Sequence, residues 1–322
     1  MLKRMVGKKI IMISAAIFAL FLIYLVPKDM NYELKDVPSD IEYVSKEVNT
    51  ENIYLLDQHG LLGRTKIVNN NKNQDVSAKA KFIVESLIID GPNSSSLPSG
   101  FQAILPSDTK LLSVGFEDNV LKLNFNQEFL EGKEELEEKM IEAIVYSVTE
   151  IDGVTQVMIY VENNVLTLLP KTKTTLPSIL NRSFGINKKY DFTKTDNINE
   201  VTIYYVDTWN DEKYYVPVTK YINDDREKVR IIVDELTSTN AYTGNLMSYL
   251  NSNAEILDVK NENDVMELVF NSYVFSDASS KNILEEVIYT ISLSIKDNYD
   301  VKEVVFTVDN EEIYKSVLKT IE

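Results

Sequence analysis

The sequence contains no cysteine, and His59 is its single histidine among 322 residues. Without cysteine the chain has no disulfide, no thiolate metal site, no cysteine nucleophile and no lipid-modified N-terminal cysteine. One histidine also leaves a histidine-based zinc site or a histidine-dependent catalytic triad without the partners it needs. Only 10 glycines are present, and they form no glycine-rich phosphate loop. Most common metal, nucleotide and covalent chemistry is therefore not expected, and we predict no cofactor.

Basic residues are scarce relative to acidic ones. The chain has 33 Lys and Arg against 50 Asp and Glu, a net charge of −17. This balance repels a phosphate backbone, so nucleic acid is not an expected partner. Hydrophobic residues make up 44% and charged residues 26%, close to the average for globular proteins. At roughly 150 residues per domain, the length suggests two folded domains.

The N-terminus predicts the compartment. An uncharged run covers residues 10–26, and all acidic residues come after it. A helix of this length spans about 25 Å, which is the short end for a transmembrane helix. Basic residues precede the run, and no clear cleavage site ends it. We therefore predict an uncleaved, single-pass signal-anchor in residues 1–26, a stalk in residues 27–47 and an extracytoplasmic body. A cleaved signal peptide and a core helix are the alternatives. The four basic residues are Lys3, Arg4, Lys8 and Lys9.

The body is an internal repeat. Four segments recur in the same order at separations of 150, 149, 145 and 147 residues. Short loop insertions explain the drift in spacing, so the sequence predicts a tandem duplication. The predicted domains are residues 48–165 and 198–322, joined by a connector in residues 166–197. The matching segments are 52–57 with 202–207, 79–87 with 228–236, 120–126 with 265–271, and 157–163 with 304–310.

Each half has the pattern β-β-α-β-β-α-β. Leu121, Leu123 and Phe125 alternate with polar residues, as expected of a half-buried strand. Ser77 and Asp224 are predicted to cap the first helix of each half. The pattern predicts an α+β fold in which each repeat is a mixed β-sheet with two helices packed on one face. The predicted strands are 52–57, 63–68 and 156–161 in the first half, 201–207, 213–222 and 303–308 in the second, and 166–169 in the connector.

Aromatic residues cluster in the first hairpin of the second half. Because alternate residues of a strand share a face, some of these side chains should point away from the core. Exposed aromatic residues are favoured at protein interfaces. We therefore interpret Tyr204, Trp209 and Tyr214 as candidate partner contacts, with packing against the sheet or the connector as the alternative. His59, which the repeat aligns with Trp209, is interpreted as an ordinary turn residue.

Two acidic groups, Asp224-Asp225 and residues 309–312, are the candidates for a cation site. Neither has the alternating ligand spacing of a calcium loop, so a solvated charged face is the preferred interpretation and no metal site is predicted. Paired carboxylates that cleave glycans remain an alternative, because their proximity depends on the fold.

The repeat units resemble the GerMN domain, and the whole chain is similar to the GerM family of spore-formation and germination proteins. The resemblance rests on the helices KFIVESLIIDGP and VRIIVDELTS, the hairpins LLSVGFEDNVLKLNFNQEF and AEILDVKNENDVMELVFNSYVF, and the closing strands VMIYVEN and VVFTVDN. It implies non-enzymatic interaction modules outside the cytoplasmic membrane, similar to ring-building domains of secretion-type assemblies. In spore formers, the family helps to assemble or stabilise the channel between mother cell and forespore. Family members are commonly lipoproteins, whereas this chain lacks the required cysteine, and the helix at residues 10–26 is the expected substitute.

The expected function is therefore a membrane-anchored scaffold that binds other envelope or sporulation-channel proteins, with homo-oligomers as an open expectation. The alternative is an extracytoplasmic sensor or binding module for a cell-wall fragment or small solute. An enzyme acting on the cell wall ranks third. A concave pocket between the repeats would favour the binding module, whereas flat exposed sheet faces would favour the scaffold.

Overall fold

The computed structural model describes residues 49–71, 74–238, 245–277 and 281–317. The chain divides into two compact units, residues 1–47 and residues 48–322, and every described residue belongs to the second. The predicted signal-anchor at residues 10–26 and the stalk at residues 27–47 lie outside the described residues. Within the described ranges, no helix is both long and apolar enough to cross a membrane.

Both repeats contain the predicted helices and strands in the predicted order, and each ends with one additional strand. The first repeat consists of β1 (Thr50–Leu56), β2 (Leu62–Val68), α1 (Val76–Ser86), β3 (Leu111–Glu117), β4 (Val120–Phe125), α2 (Glu137–Val148), β5 (Gln156–Val161) and β6 (Asn164–Val165). The connector contains β7 (Lys189–Asp191). The second repeat consists of β8 (Asn199–Trp209), β9 (Glu212–Ile222), α3 (Lys228–Thr237), β10 (Ile256–Glu262), β11 (Val265–Phe270), α4 (Glu285–Asn298), β12 (Glu303–Val308) and β13 (Glu311–Val317).

Each repeat builds a four-stranded mixed sheet from its second hairpin and its last two strands. The strand orders are β3-β4-β5-β6 and β10-β11-β12-β13. The central pairs, β4 with β5 and β11 with β12, are parallel, and the outer pairs are antiparallel. Parallel neighbours need a long crossover connection, which α2 and α4 provide. The predicted mixed α+β architecture is confirmed for these strands.

The first hairpins are not part of these sheets, and here the prediction of one sheet per repeat is wrong. Strands β1, β2, β7, β8 and β9 form a separate five-stranded sheet that both repeats share. Strand β2 meets β9 at the pair Arg64–Tyr215. The crossover helices occupy the free edges of β1 and β8: the backbone N–H of Tyr54 donates to Ser147 Oγ on α2, and that of Tyr204 donates to Ser294 Oγ on α4, both at 2.9 Å. Loop backbone pairs with the same strands at Leu56–Gln102 and Val206–Met247, so helix side chains and loops together cover edges that another strand would otherwise fill.

The two cores lie between the mixed sheets and their helices. Leu121, Leu123 and Phe125 of β4 are fully buried, and so are their counterparts in β11. Since alternate strand residues point to one face, these side chains line the helix-facing side of each sheet, as the alternation predicted. Full burial of such a side chain stabilises the fold by about 1.5–3 kcal/mol. The counterparts are Met266, Leu268 and Phe270.

In the part of the chain that the structure describes, five of the six hairpins close with two residues that both have positive φ. This is the conformation of the type I′ turn, whose twist matches that of the flanking strands and which favours Asn and Asp. The β1–β2 hairpin is longer, and His59 lies in its turn as predicted. The five pairs are Asp118-Asn119, Glu162-Asn163, Asn210-Asp211, Asn263-Asp264 and Asp309-Asn310.

Both predicted helix caps are wrong. Asp75, not Ser77, caps α1, and its carboxylate accepts from the backbone N–H of Ala78 at 2.7 Å. Helix α3 starts after Glu227, with no side-chain capping bond. Asp224 instead accepts from the backbone N–H and the guanidinium of Arg226, at 2.7–3.1 Å. The nearby arginine therefore competes successfully for the carboxylate that the sequence pattern assigned to the helix.

The connector is an ordered part of the body. Its backbone pairs with β5 through Leu180 and Val157, and Leu176 and Leu180 are 2% exposed. The strand predicted at residues 166–169 is instead β6, which ends at Val165. Asn187 joins the repeats: its amide nitrogen donates to the backbone oxygens of Leu62 at 3.0 Å and Pro217 at 2.8 Å, and its oxygen accepts from the Leu62 N–H at 2.9 Å. The asparagine thus replaces ladder hydrogen bonds between β2 and β9.

Candidate functional site

The structure places the predicted contact residues at the junction between the repeats. Tyr204 is fully buried and Tyr214 is 6% exposed, so their interpretation as exposed partner contacts is wrong. The alternative interpretation, packing within the chain, describes both. Trp209 is half-buried. Its ring lies against Gly100 of the first repeat, and its indole N–H donates to Ser99 Oγ at 3.2 Å. This aromatic cluster therefore joins the two repeats.

At the centre of the junction, equivalent residues of the two repeats face each other. The hydroxyl oxygens of Tyr54 and Tyr204, which are 150 positions apart in sequence, lie 2.7 Å from each other. The Tyr54 hydroxyl also lies 3.0 Å from Glu150 Oε1. The Tyr204 hydroxyl lies 2.8 Å from Asp297 Oδ2. Because each hydroxyl has one proton, one tyrosine donates to the other, and the tyrosine that accepts donates to its own carboxylate. Because Glu150 comes just after α2 and its repeat equivalent Asp297 lies in the last turn of α4, the junction has approximate two-fold symmetry.

One connector residue, Arg182, sits between these two halves. Its Nη2 donates to Glu150 Oε1 and its Nη1 donates to Asp297 Oδ1, both at 2.5 Å. Its guanidinium lies 4.8 Å from the centre of the Tyr146 ring, a cation–π distance. Glu150 and Asp297 are 3% and 1% exposed. A single planar cation therefore bridges two buried carboxylates, one from each repeat.

Two more cations approach Glu150. Arg64 Nη2 lies 3.0 Å and Lys296 Nζ 3.3 Å from Glu150 Oε2. Burial alone would raise the pKa of Glu150, but Arg64, Lys296 and Arg182 together hold this pKa well below its ordinary value. Burial also lowers the pKa of Lys296, against the opposing effect of Glu150. The result is a buried network of ion pairs that ties β2, the segment after α2, the connector and α4 together.

A second polar cluster lies at the hairpin turns. The hydroxyl of Tyr214 is 3.1 Å from Asp57 Oδ2 and 3.0 Å from Asp207 Oδ2. Asp57 and Asp207 are equivalent positions in the two repeats, and His59 Nε2 lies 3.7 Å from Asp207 Oδ2. Burial raises the pKa of Asp57. Burial and the two carboxylates also raise the pKa of Tyr214, so this tyrosine stays protonated as a donor.

The role of Arg182 was missed by the sequence analysis. A signal exists, since Arg182 is the only arginine of a connector otherwise rich in lysine. Buried bidentate ion pairs use arginine in preference to lysine. Nothing in the sequence indicates, however, that Glu150 and Asp297 meet, because their proximity follows from the way the repeats pack. Among the described residues, no group of three or more His, Asp or Glu side chains is arranged to hold a metal ion.

The sheet edges form a second candidate surface. Among the described residues, strands β3 and β10 each pair on one side only, with β4 and β11. Both strands have a β-bulge at the same place, between Leu111 and Ser113 in β3 and between Ile256 and Asp258 in β10. The bulged residue is a leucine in both repeats. Leu112 is 48% exposed and Leu257 is 59% exposed. Bulges commonly redirect a side chain, and here both direct a leucine into solvent.

A concave feature lies beside the connector. This cleft has a volume of about 470 Å³ and is lined by residues of α2, the connector and β9, which is within the usual range of about 300–1,000 Å³ for ligand sites. Glu138, Lys188 and Tyr221 are among its lining residues. The cleft therefore lies where residues of both repeats and the connector meet.

Two fused α+β repeats, each with a mixed sheet and a pair of helices, define a tandem-domain protein of the GerMN type. The chain belongs to the Germane family, described as sporulation and spore germination, whose model matches residues 52–167 and 202–314. Both predicted repeats are thus matched separately.

Two relatives agree with this assignment. The chain is 28% identical over 260 residues to the spore germination protein GerM of Bacillus subtilis (strain 168), a match that covers 78% of this chain and 69% of that protein. The solved structure of the tandem GerMN domains of the sporulation protein GerM from Bacillus subtilis aligns with a TM-score of 0.73 and 26% identity. That alignment covers 82% of this chain and 92% of the other. The resemblance stated from the sequence is confirmed.

Proposed function

We propose that this protein is a non-enzymatic, membrane-anchored scaffold outside the cytoplasm that binds other proteins of an envelope assembly during spore formation. Membership of the Germane family, described as sporulation and spore germination, supports a role during spore formation. The basic residues ahead of the apolar run at residues 10–26 support an anchor with the body outside. Anchoring would confine the body to the membrane surface and so raise its effective concentration for membrane-bound partners.

The observation that carries the proposal is the repeated, exposed leucine at an unpaired strand edge. Leu112 and Leu257 occupy equivalent bulges and are 48% and 59% exposed. A strand edge offers backbone donors and acceptors to a partner strand. The bulge limits indiscriminate pairing, so the leucine side chain supplies an apolar anchor for a specific partner. An anchor of this kind is typical of interface hot spots that fill a partner's pocket.

The buried junction supports the same proposal. Arg182 and Asn187 hold the two repeats together through direct bonds to both. The exposed edges of β3 and β10 that carry Leu112 and Leu257, here called the leucine edges, consequently keep a fixed distance and orientation relative to each other. A rigid pair of equivalent surfaces binds two partner surfaces with less loss of conformational entropy than two flexibly linked domains.

Site-specific photo-crosslinking in sporulating cells tests the proposal. A photo-reactive amino acid would replace Leu112, Leu257 or, as a control, Leu168 in the full chain. Leu168 is 50% exposed but belongs to the connector, not to a sheet edge. We expect crosslinked products heavier than the chain from positions 112 and 257 and none from position 168. Equal products from all three positions, or products from none, would contradict the edge-docking proposal.

Two further measurements separate the remaining alternatives. A C-terminal fluorescent fusion should accumulate at the membrane around the developing spore, whereas uniform labelling of growing cells would contradict a role in spore formation. Incubation of the purified protein with cell-wall glycan should release no fragments. Cleavage of the glycan would contradict the non-enzymatic scaffold and favour an enzyme that acts on the cell wall.

A further inference from the structure

The cleft beside the connector has the chemical character of a ligand site that is distinct from the leucine edges. Its floor and walls come from Glu138 of α2, Phe184 and Lys188 of the connector, and Tyr221 of β9. Two more connector residues, Thr175 and Asn181, also line the cleft. Because the connector is pinned by the Val157–Leu180 backbone pair, the cleft is built on ordered backbone.

Aromatic rings extend from this cleft onto the surface. The Tyr190 ring stacks on the Tyr221 ring with 5.0 Å between centres and an angle of 17° between planes. Phe192 meets Tyr190 edge-on, with centres 6.2 Å apart. Tyr190 is nevertheless 61% exposed. Tyrosine combines an apolar face with a polar tip, so this stack offers a flat apolar platform next to hydrogen-bonding groups.

Several polar groups in the cleft are available to a ligand. Across the described ranges, the Tyr221 hydroxyl, the Thr175 hydroxyl and the side-chain NH2 of Asn181 make no hydrogen bond, although the Asn181 oxygen accepts from Ser183. The Tyr221 hydroxyl lies against Gly185, where an added Cβ would be 3.0 Å from it. Gly185 has φ +78°, so glycine is required there on two grounds.

Lys188, the one cation among the described residues that line the cleft, is paired with carboxylates. Lys188 Nζ lies 3.7 Å from Glu138 Oε1 and 3.6 Å from Glu142 Oε1, and it sits 3.6 Å above the centre of the Phe184 ring. This cation is therefore already paired and is not free to bind an anion. The net charge of −17 also disfavours anionic ligands. The strand at the cleft, β7, has only 3 residues, which is too short to dock an extended peptide by strand addition.

We propose that this cleft binds a neutral glycan. A pyranose ring would lie on the exposed face of Tyr190, and its hydroxyl or acetamido groups would bond to the Tyr221 hydroxyl, Asn181 and Thr175. Flat aromatic faces beside uncharged donors and acceptors match a ring that is apolar on its faces and polar around its rim. The proposal is independent of the leucine edges, so either can fail without the other.

Titration of the full chain, in detergent, with the N-acetylglucosamine tetramer tests the inference. We expect saturable binding that weakens at least tenfold in Tyr190→Ala and several-fold in Tyr221→Phe, which keeps the ring. The control is Tyr314→Ala, because Tyr314 is 42% exposed on β13, away from the cleft; its binding should be unchanged. Circular dichroism on each variant confirms that the fold is retained.

Two results would overturn the inference: no saturable binding by the unaltered chain, or equal weakening in the Tyr190 and Tyr314 variants. Sedimentation with purified cell-wall sacculi distinguishes the sources of the glycan. Tyr190-dependent sedimentation identifies the wall polymer as the ligand, whereas tetramer binding without sedimentation identifies a free oligosaccharide. Both of these results support a glycan site, and neither depends on crosslinking at positions 112 or 257.

Discussion

The hydroxyl oxygens of Tyr54 and Tyr204 lie 2.7 Å apart, and each hydroxyl also lies within 3.0 Å of a carboxylate oxygen near the end of its own crossover helix. Each tyrosine is also tied to a helix by its backbone N–H, through Ser147 or Ser294. The same contacts therefore occur in both repeats, and the fold also places the equivalent tyrosines against each other. The two copies form an internal dimer whose interface is polar, buried and centred on Arg182.

The tyrosine pair should be energetically coupled. Replacing either Tyr54 or Tyr204 by Phe removes a hydroxyl that bonds to the other tyrosine, and each substitution should destabilise the protein by about 1 kcal/mol. In the double variant the shared bond is lost only once, so the effects should fall short of additivity by about 0.5–1.5 kcal/mol. Urea unfolding of the four proteins measures this coupling. Tyr273→Phe, at a residue 53% exposed, serves as the control and should combine additively with Tyr54→Phe.

Arg182→Met should be far more damaging. Methionine is long enough to fill the space, but it leaves Glu150 and Asp297 buried without the cation that they share. Removing one partner from a buried ion pair destabilises by about 3–5 kcal/mol. Chemical denaturation should show a loss of this size.

The matched control for this substitution is Arg226→Met. Arg226 also pairs with two carboxylates, Asp224 and Asp234, but its side chain is 50% exposed. Exposed pairs contribute about 0–1 kcal/mol. Similar losses in the two variants would show that burial of the Arg182 network is unimportant.

The Glu150 network should make stability acid-sensitive. Although burial acts to raise it, the pKa of Glu150 is held well below the ordinary value by Arg64, Lys296 and Arg182. A folded-state pKa below the unfolded one gives stability that is present above about pH 4.3, the unfolded glutamate value, and lost as pH falls toward the folded pKa. Glu150→Gln should be less stable than the unaltered chain at pH 7 and show a shallower decline below pH 4. Urea midpoints measured from pH 7 to pH 2.5 test this, with exposed Glu131→Gln expected to retain the full slope.

Asp57 should behave in the opposite sense. Burial raises its pKa, so the fold favours the protonated carboxyl. Stability from this group is present below the unfolded aspartate pKa of about 3.9 and is lost as pH rises through the folded pKa. Asp57→Asn removes the charge while its side-chain oxygen still accepts from the N–H groups of His59 and Leu61. The variant should match or exceed the unaltered chain in melting temperature at pH 7, with the advantage vanishing near pH 4. A clear loss of stability at pH 7 would show that Asp57 is needed as an anion.

Local patterns explain why part of this structure was predictable. The alternation of Leu121, Leu123 and Phe125 predicts a half-buried strand, because strand geometry fixes which side chains share a face. The assignment of the first hairpins to sheets was not predictable in this way. Strand pairing depends on which edges remain free, and Ser147 and Ser294 occupy the edges of β1 and β8. Likewise, Tyr204 lies in an aromatic strand whose alternation predicts that some side chains are exposed. It is buried because the first repeat, through Tyr54, packs against it.

The contact between Trp209 and Gly100 provides the most direct optical test of the junction. Gly100 has φ +86°, and an added Cβ would lie 2.5 Å from Trp209 Cγ. Gly100→Ala should therefore combine backbone strain with displacement of the indole, at a cost of about 2–4 kcal/mol. Since Trp209 is the only tryptophan, its displacement should appear as a red shift of the intrinsic fluorescence. Gly60→Ala is the matched control, because Gly60 has φ +75° but nothing within 4 Å of an added Cβ. That variant should lose only about 1 kcal/mol and keep the original emission, whereas equal spectra and stabilities for the two variants would mean that the indole does not rest on Gly100.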